Sequence, residues 1–217
     1  MTVKADAKAK ASVNSADLQK PTLGGECTLS STVEGVKVKA KFNNSLFKDP
    51  SSMQSLELSA DKSDVGVLTL YPAKKEMKFE HSRTVSDDLS AKITYKSALS
   101  KLAGTEGIAL EATYKVSNSD KITATHELSK GLKTVKYTAN MDFATVEPEY
   151  TVASKALSVT LTKKVDSDTY KCAYDLQSKG ASLEWSRKPY KVTLKTKDIS
   201  NPTPFDASVS MDYSYSF

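Results

Sequence analysis

The chain has 217 residues, 39% of them hydrophobic and 26% charged, with a net charge of +5. It contains no run of about 18 apolar residues, which excludes a helical membrane protein; Tyr, Phe, Val and Leu spread along its length argue against disorder. Lysine and arginine exceed the acids by 31 to 26, a weak pointer toward anionic solutes, nucleic acid or a membrane surface.

Alternation with period two starts at the N-terminus. Val3, Ala5, Ala7, Ala9, Ala11 and Val13 share one parity, and Lys4, Asp6, Lys8, Lys10 and Ser12 the other. A strand separates these sets onto two faces, whereas a helix scatters them. Further strands are predicted over 24–33 and 35–43, where Val36, Val38, Ala40 and Phe42 oppose Lys37, Lys39 and Lys41. Segments 54–61, 64–71 and 76–84 follow. Over 87–97, Leu89, Ala91, Ile93 and Tyr95 oppose Lys92 and Lys96; over 106–116, Ile108, Leu110 and Tyr114 oppose Glu111 and Lys115. The pattern continues through 119–128, 132–141, 143–153, 156–164, 168–177 and 180–187. Pro148 weakens the 143–153 segment, because proline donates nothing to a ladder. In 190–198, Tyr190, Val192 and Leu194 oppose Lys191 and Lys195, and 205–217 alternates from Phe205 and Asp206 through Asp212 to Phe217. Turn signals separate these segments, among them Glu34-Gly35, Asn118-Ser119-Asp120, Lys130-Gly131 and Ser178-Lys179-Gly180. Longer breaks fall at 14–21, 45–53, 98–105 and 198–204. No composition shift marks a boundary, so residues 1–217 are expected to form a single domain.

A soluble β-sandwich that binds a ligand also alternates. Its inner faces, however, need large and varied side chains, and the first strand offers only Ala and Val there; lipid chains fill such gaps where a packed core keeps voids. Aromatics lie near strand ends (Phe42, Tyr71, Tyr95, Tyr114, Tyr150, Tyr190, Tyr213, Tyr215), as interfacial girdles require. The reading is therefore all-β: a closed antiparallel transmembrane β-barrel of about 12–16 strands, with the sandwich binding protein as the alternative.

Three segments carry a resemblance: Met1-Thr2-Val3-Lys4-Ala5, Phe143-Ala144-Thr145-Val146-Glu147-Pro148-Glu149-Tyr150, and Leu183-Glu184-Trp185-Ser186. Together with chain length they resemble the outer envelope pore protein 24 family, small pores of chloroplast and other plastid outer membranes. The resemblance implies a high-conductance, weakly selective, voltage-sensitive solute channel. Its implied permeants are triose phosphates, phosphate, dicarboxylates, ATP, sugars and amino acids. It also implies assembly as homo-oligomers, with no catalytic site.

If the apolar parity meets lipid, the other parity lines the pore, since a basic residue at the membrane midplane costs roughly 2–4 kcal/mol. The expected pore-lining residues are Lys4, Asp6, Lys8, Lys10, Lys37, Lys39, Lys41, Lys92, Lys96, Glu111, Lys115, Lys191, Lys195, Asp206 and Asp212. The same parity takes Lys78, Lys136, Lys171, Glu26, Glu57, Glu80, Glu127, Asp175 and Glu184. Screening within about 8 Å makes discrimination by such a lumen mild. His81 and His126 stand apart from other ligand-type residues, so neither a metal nor a cofactor is expected. Cys27 and Cys172 are expected to be free thiols. Membrane lipid and small charged metabolites are the expected partners. Nucleic acid is not, because aromatics and lysines lie on opposite faces. The opening residues lack an apolar core followed by a cleavage site, so the expectation is a chain made in the cytosol and inserted afterwards.

Overall fold

A computed structural model describes residues 3–14, 22–43, 46, 53–101, 106–200 and 206–216. Among them are sixteen strands. The first eight are β1 (Val3–Asn14), β2 (Thr22–Val33), β3 (Val36–Asn43), β4 (Glu57–Lys62), β5 (Gly66–Tyr71), β6 (Glu76–Thr84), β7 (Leu89–Ala98) and β8 (Ile108–Lys115). The rest are β9 (Asp120–Glu127), β10 (Gly131–Asn140), β11 (Thr145–Thr151), β12 (Ala156–Val165), β13 (Asp168–Asp175), β14 (Ala181–Arg187), β15 (Tyr190–Thr196) and β16 (Asp206–Ser216). A 3-10 turn, Pro72–Lys74, joins β5 to β6.

Each strand pairs antiparallel with its neighbours in sequence, and β1 pairs with β16 to close the barrel. A barrel of this strand number leaves room for an aqueous channel. The sandwich alternative fails here. No pair of facing sheets forms, and among the described residues the buried apolar side chains are only Ala139 and Ala144. The large apolar residues are exposed instead, Leu183 at 49% and Val209 at 48%.

The two ends of the barrel differ. At one end the hairpins are tight: Val33 to Val36, Val165 to Asp168 and Arg187 to Tyr190. Glu34 and Gly35 both take positive φ, the geometry a two-residue hairpin demands. The opposite end carries the longer connections, such as those between β3 and β4, β7 and β8, and β15 and β16. The loop expectation at 45–53 falls mostly outside the described residues.

Two irregularities have local causes. The β9–β10 register shifts between Leu132 and Thr134, so Lys133 is an extra residue on β10. The β10–β11 ladder runs from Lys136↔Glu149 to Ala139↔Val146 and omits the two steps between, opposite Pro148 and Glu147; Pro148 has no N–H to donate. Pro148 thus lies inside a strand, at an interrupted ladder.

Gly66 opens β5 at φ +123, and a Cβ there meets the backbone carbonyl oxygen of Glu80 and the Phe79 ring. His81 Nδ1 lies 3.0 Å from the Val65 carbonyl oxygen, tying the same turn to β6. Gly66→Val is expected to destabilise the barrel by about 1–3 kcal/mol through this backbone strain. Gly35→Asn, in open space at φ +77, is expected to change stability by less than about 0.5 kcal/mol. Urea unfolding of refolded barrels in detergent, followed by the gel shift between folded and unfolded forms, measures both.

Candidate functional site: the polar face of the barrel

Directly opposed residues of an antiparallel pair share a face, so the register assigns faces around the whole sheet. Lys39 opposes Ser30 and Ser59, and Ser59 opposes Thr69. Thr69 opposes Lys78, which opposes Lys96. Lys92 opposes Glu111 on β8, and Lys115 opposes Lys121 on β9. The same face continues through Lys136↔Glu149, Glu149↔Ser158, Ser158↔Asp175, Lys171↔Glu184, Ser182↔Lys195 and Lys195↔Asp206. The backbones of Lys10 and Asp212 oppose each other across the closing seam, and those of Lys8 and Glu26 across β1–β2. Lys4 opposes Ser30, Asp6 opposes Thr28 and Lys37 opposes Asp61. All positions expected to line a pore therefore fall on one continuous face. Apart from the β10 bulge, no strand slips by one residue, which would move its whole polar set to the other side.

Several of the charges on this face are paired. Glu80 takes Lys78 on one carboxylate oxygen and Lys92 on the other, each at 2.6 Å. Lys41 reaches diagonally to Glu26 at 3.0 Å and Lys191 to Glu184 at 2.8 Å. At the long-loop end, Glu127 is shared by Lys133 at 2.7 Å and Lys130 at 3.4 Å. Glu147 spans the gap opposite Pro148: it accepts from Lys136 Nζ at 3.1 Å and from Thr138 Oγ1 at 3.3 Å. Lys115 donates to the Asp87 carbonyl oxygen at 3.2 Å, while Thr113 and Thr123 share a 3.1 Å hydroxyl bond beside it. Pairs this open to water contribute at most about 1 kcal/mol each; their larger effect is to offset part of the wall's positive charge. Two cavities open along the face. One, of about 700 Å³, is lined by Lys78, Glu80, Thr94, Lys96, Glu127 and Lys133 among others. The second, of about 470 Å³, includes Ser158, Asp175, Lys195 and Asp206.

Sequence reasoning missed part of this face. Lys133 owes its place to the bulge, and no residue pattern announces a bulge there. Glu147 and Glu149 were hidden by the proline between them. Tyr71 was expected among the girdle aromatics, but it opposes Glu76 on the polar parity. Its strand, Gly66-Val67-Leu68-Thr69-Leu70-Tyr71, is apolar on both parities, so alternation gives no sign of which face is which. Lys74 Nζ sits 5.7 Å from the Tyr71 ring centroid, a cation–π pair at the long-loop rim.

The other aromatics form two bands on the apolar face. Tyr114, Tyr137, Tyr170, Trp185 and Tyr190 lie toward the short-turn end, and Phe42, Phe79, Tyr95, Tyr150 and Tyr174 toward the long-loop end. Cys27 and Cys172 are free thiols on the apolar parity.

A closed barrel, apolar and aromatic-banded on one face and polar with paired charges on the other, defines a transmembrane β-barrel pore. The family model described as Outer envelope pore protein 24 matches residues 4–202. The chain belongs to that family: it is a pore of the plastid outer envelope, a channel and not an enzyme. Two chloroplastic outer envelope pore proteins 24 from rice (Oryza sativa, subspecies japonica and indica) are each 23% identical to it over 177 residues. Those alignments cover 77% of this chain and 79% of either relative. Among solved structures, a Rhodopseudomonas blastica porin variant with three substitutions superposes with a TM-score of 0.59 at 8% identity. It covers 100% of this chain and 99% of its own, and a variant with two substitutions gives the same figures. At such identity the likeness establishes the fold alone.

Because Glu147 bridges the gap in the ladder beside Pro148, Glu147→Ala is expected to cost about 1 kcal/mol. Amide hydrogen exchange should accelerate along β10 and β11 and stay unchanged across β13–β15. Uniform acceleration around the barrel would contradict a local role.

Proposed function

We propose that the polar face lines a water-filled, high-conductance pore that passes small metabolites with weak selectivity. The permeants are triose phosphates, phosphate, dicarboxylates, ATP, sugars and amino acids, with voltage-dependent closure and homo-oligomeric assembly as for the family. The observation that carries the reading is the register, which gathers Lys37, Lys39, Lys41, Lys92, Lys96, Glu111, Lys115, Lys191, Lys195 and Asp206 on one face while the large apolar residues take the other.

Weak selectivity follows from how the charges are placed. Glu80 and Glu127 each hold two lysines, so part of the fixed positive charge is offset locally instead of gathering into a ring of one sign. What remains is screened within about 8 Å at physiological ionic strength. Basic character remains at Lys39, which stands between Ser30 and Ser59 with no carboxylate directly opposite, and where Lys115 opposes Lys121.

Refolded protein in a planar bilayer is expected to show stepwise single-channel currents. In a salt gradient, Lys37→Glu, Lys39→Glu and Lys41→Glu combined should move the reversal potential toward the cation equilibrium potential. Glu80→Gln, which frees Lys78 and Lys92, should move it the opposite way. Currents that persist with an unmoved reversal potential in both variants would place these side chains outside the conduction path. Silence from fully folded protein would reject the pore itself. In native membranes the protein should stay in the pellet after carbonate washing.

A further inference from the structure

On the apolar face, the basic residues of the described strands are confined to one end. Lys62, Arg83, Lys163 and Arg187 all sit within the last few residues before a short turn. Toward the long loops the same face is apolar, aromatic or neutral. A cation facing lipid costs least at the interface, which explains why none lies mid-strand. It does not explain why only one rim carries them.

The densest part of that rim lies on β12–β15. Lys163 opposes Tyr170, Tyr170 opposes Trp185, and Arg187 opposes Tyr190. Lys163 and Arg187 are exposed, as are Tyr170 at 43% and Tyr190 at 46%. Trp185 Nε1–H donates to Asp168 Oδ1 at 3.2 Å, which fixes the indole and engages one oxygen of the nearby carboxylate. Among the described residues, neither Lys163 nor Arg187 has an acidic partner. This contrasts with the polar face, where Lys41, Lys78, Lys92, Lys133, Lys136 and Lys191 are held by carboxylates at 2.6–3.1 Å.

We infer that this patch is a binding site for the headgroup of an anionic membrane lipid, with Lys163 and Arg187 taking the anionic group and Tyr170, Trp185 and Tyr190 flanking the upper acyl chain. Complementarity carries the assignment: two unpaired cations border an aromatic cluster that is continuous with the exposed apolar band. A zwitterionic headgroup brings its own cation and satisfies them less well. The inference rests on the apolar face meeting lipid.

Trp185 is the chain's only tryptophan, so it reports the site directly. The full-length barrel is reconstituted in vesicles whose guest lipid, brominated high on the acyl chain, is either phosphatidylglycerol or phosphatidylcholine at equal mole fraction. Brominated phosphatidylglycerol should quench Trp185 as though locally enriched roughly fivefold, the equivalent of one basic residue's attraction near an anionic surface. Lys163→Gln with Arg187→Gln should abolish that preference while quenching by phosphatidylcholine persists, which also shows that the variant inserts. Arg83→Gln, elsewhere on the rim, should keep the preference. Equal quenching by both lipids in the unaltered protein, or a preference that survives the double change, overturns the site. Quenching by neither lipid would overturn the lipid-facing assignment beneath it.

Discussion

Closure is the constraint from which the rest of this structure follows. A sheet in hydrocarbon has no water to satisfy a free edge, and each unpaired amide or carbonyl costs several kcal/mol. The β1–β16 pairing, running from Asp6↔Ser216 to Asn14↔Ser208, removes that edge. Closure also demands consistency of parity. Face assignments passed from strand to strand must return to β1 unchanged, and here they do. Even the β10 bulge leaves the polar set intact, because Lys133 is inserted between Leu132 on one face and Thr134 on the other.

With no buried core to speak of, stability comes from the ladder, from lipid contact and from local pairings on the polar face. Glu147 shows how such a pairing is placed where the ladder is weakest. Proline on β11 removes a donor, and a carboxylate beside it gathers Lys136 and Thr138 across the same gap. Gly66 plays the matching part at a turn, where backbone and the Phe79 ring leave no room for a side chain.

Much of this fold was legible in the sequence because period-two alternation is the direct imprint of a two-faced sheet. Strand 1 shows it most purely, with Ala and Val against Lys, Asp and Ser, and the strand boundaries followed closely. Legibility ended where the physics is not periodic. On β5 both parities are apolar, so Tyr71 went to the wrong face. At Lys133 a single inserted residue resets the phase of the strand. Ion pairing was hidden for another reason: Lys41 sits directly opposite Glu57, yet it bonds diagonally to Glu26. Register fixes the backbone; side-chain reach then chooses among several acids at similar distance.

The two faces use the same residue type in opposite ways, and this separates permeation from anchoring. On the polar face a lysine is surrounded by water and acids, so its charge is shared and screened, as at Glu80 with Lys78 and Lys92. On the apolar face a cation meets few acids, Asp120 and Asp168 alone among the described strands. It is tolerated only where it reaches the interface, and there it stays unneutralised until the membrane supplies an anion. Net charge is therefore a poor guide to what this protein does. The excess of +5 does not describe the polar face by itself, because Lys41, Lys78, Lys92, Lys133, Lys136 and Lys191 are held there by carboxylates. A smaller set of basic residues, Lys62, Arg83, Lys163 and Arg187, has no ion pair among the described residues and gathers at one rim of the apolar face, where Asp120 and Asp168 also lie. Where each charge sits, and what stands beside it, says more than the sum.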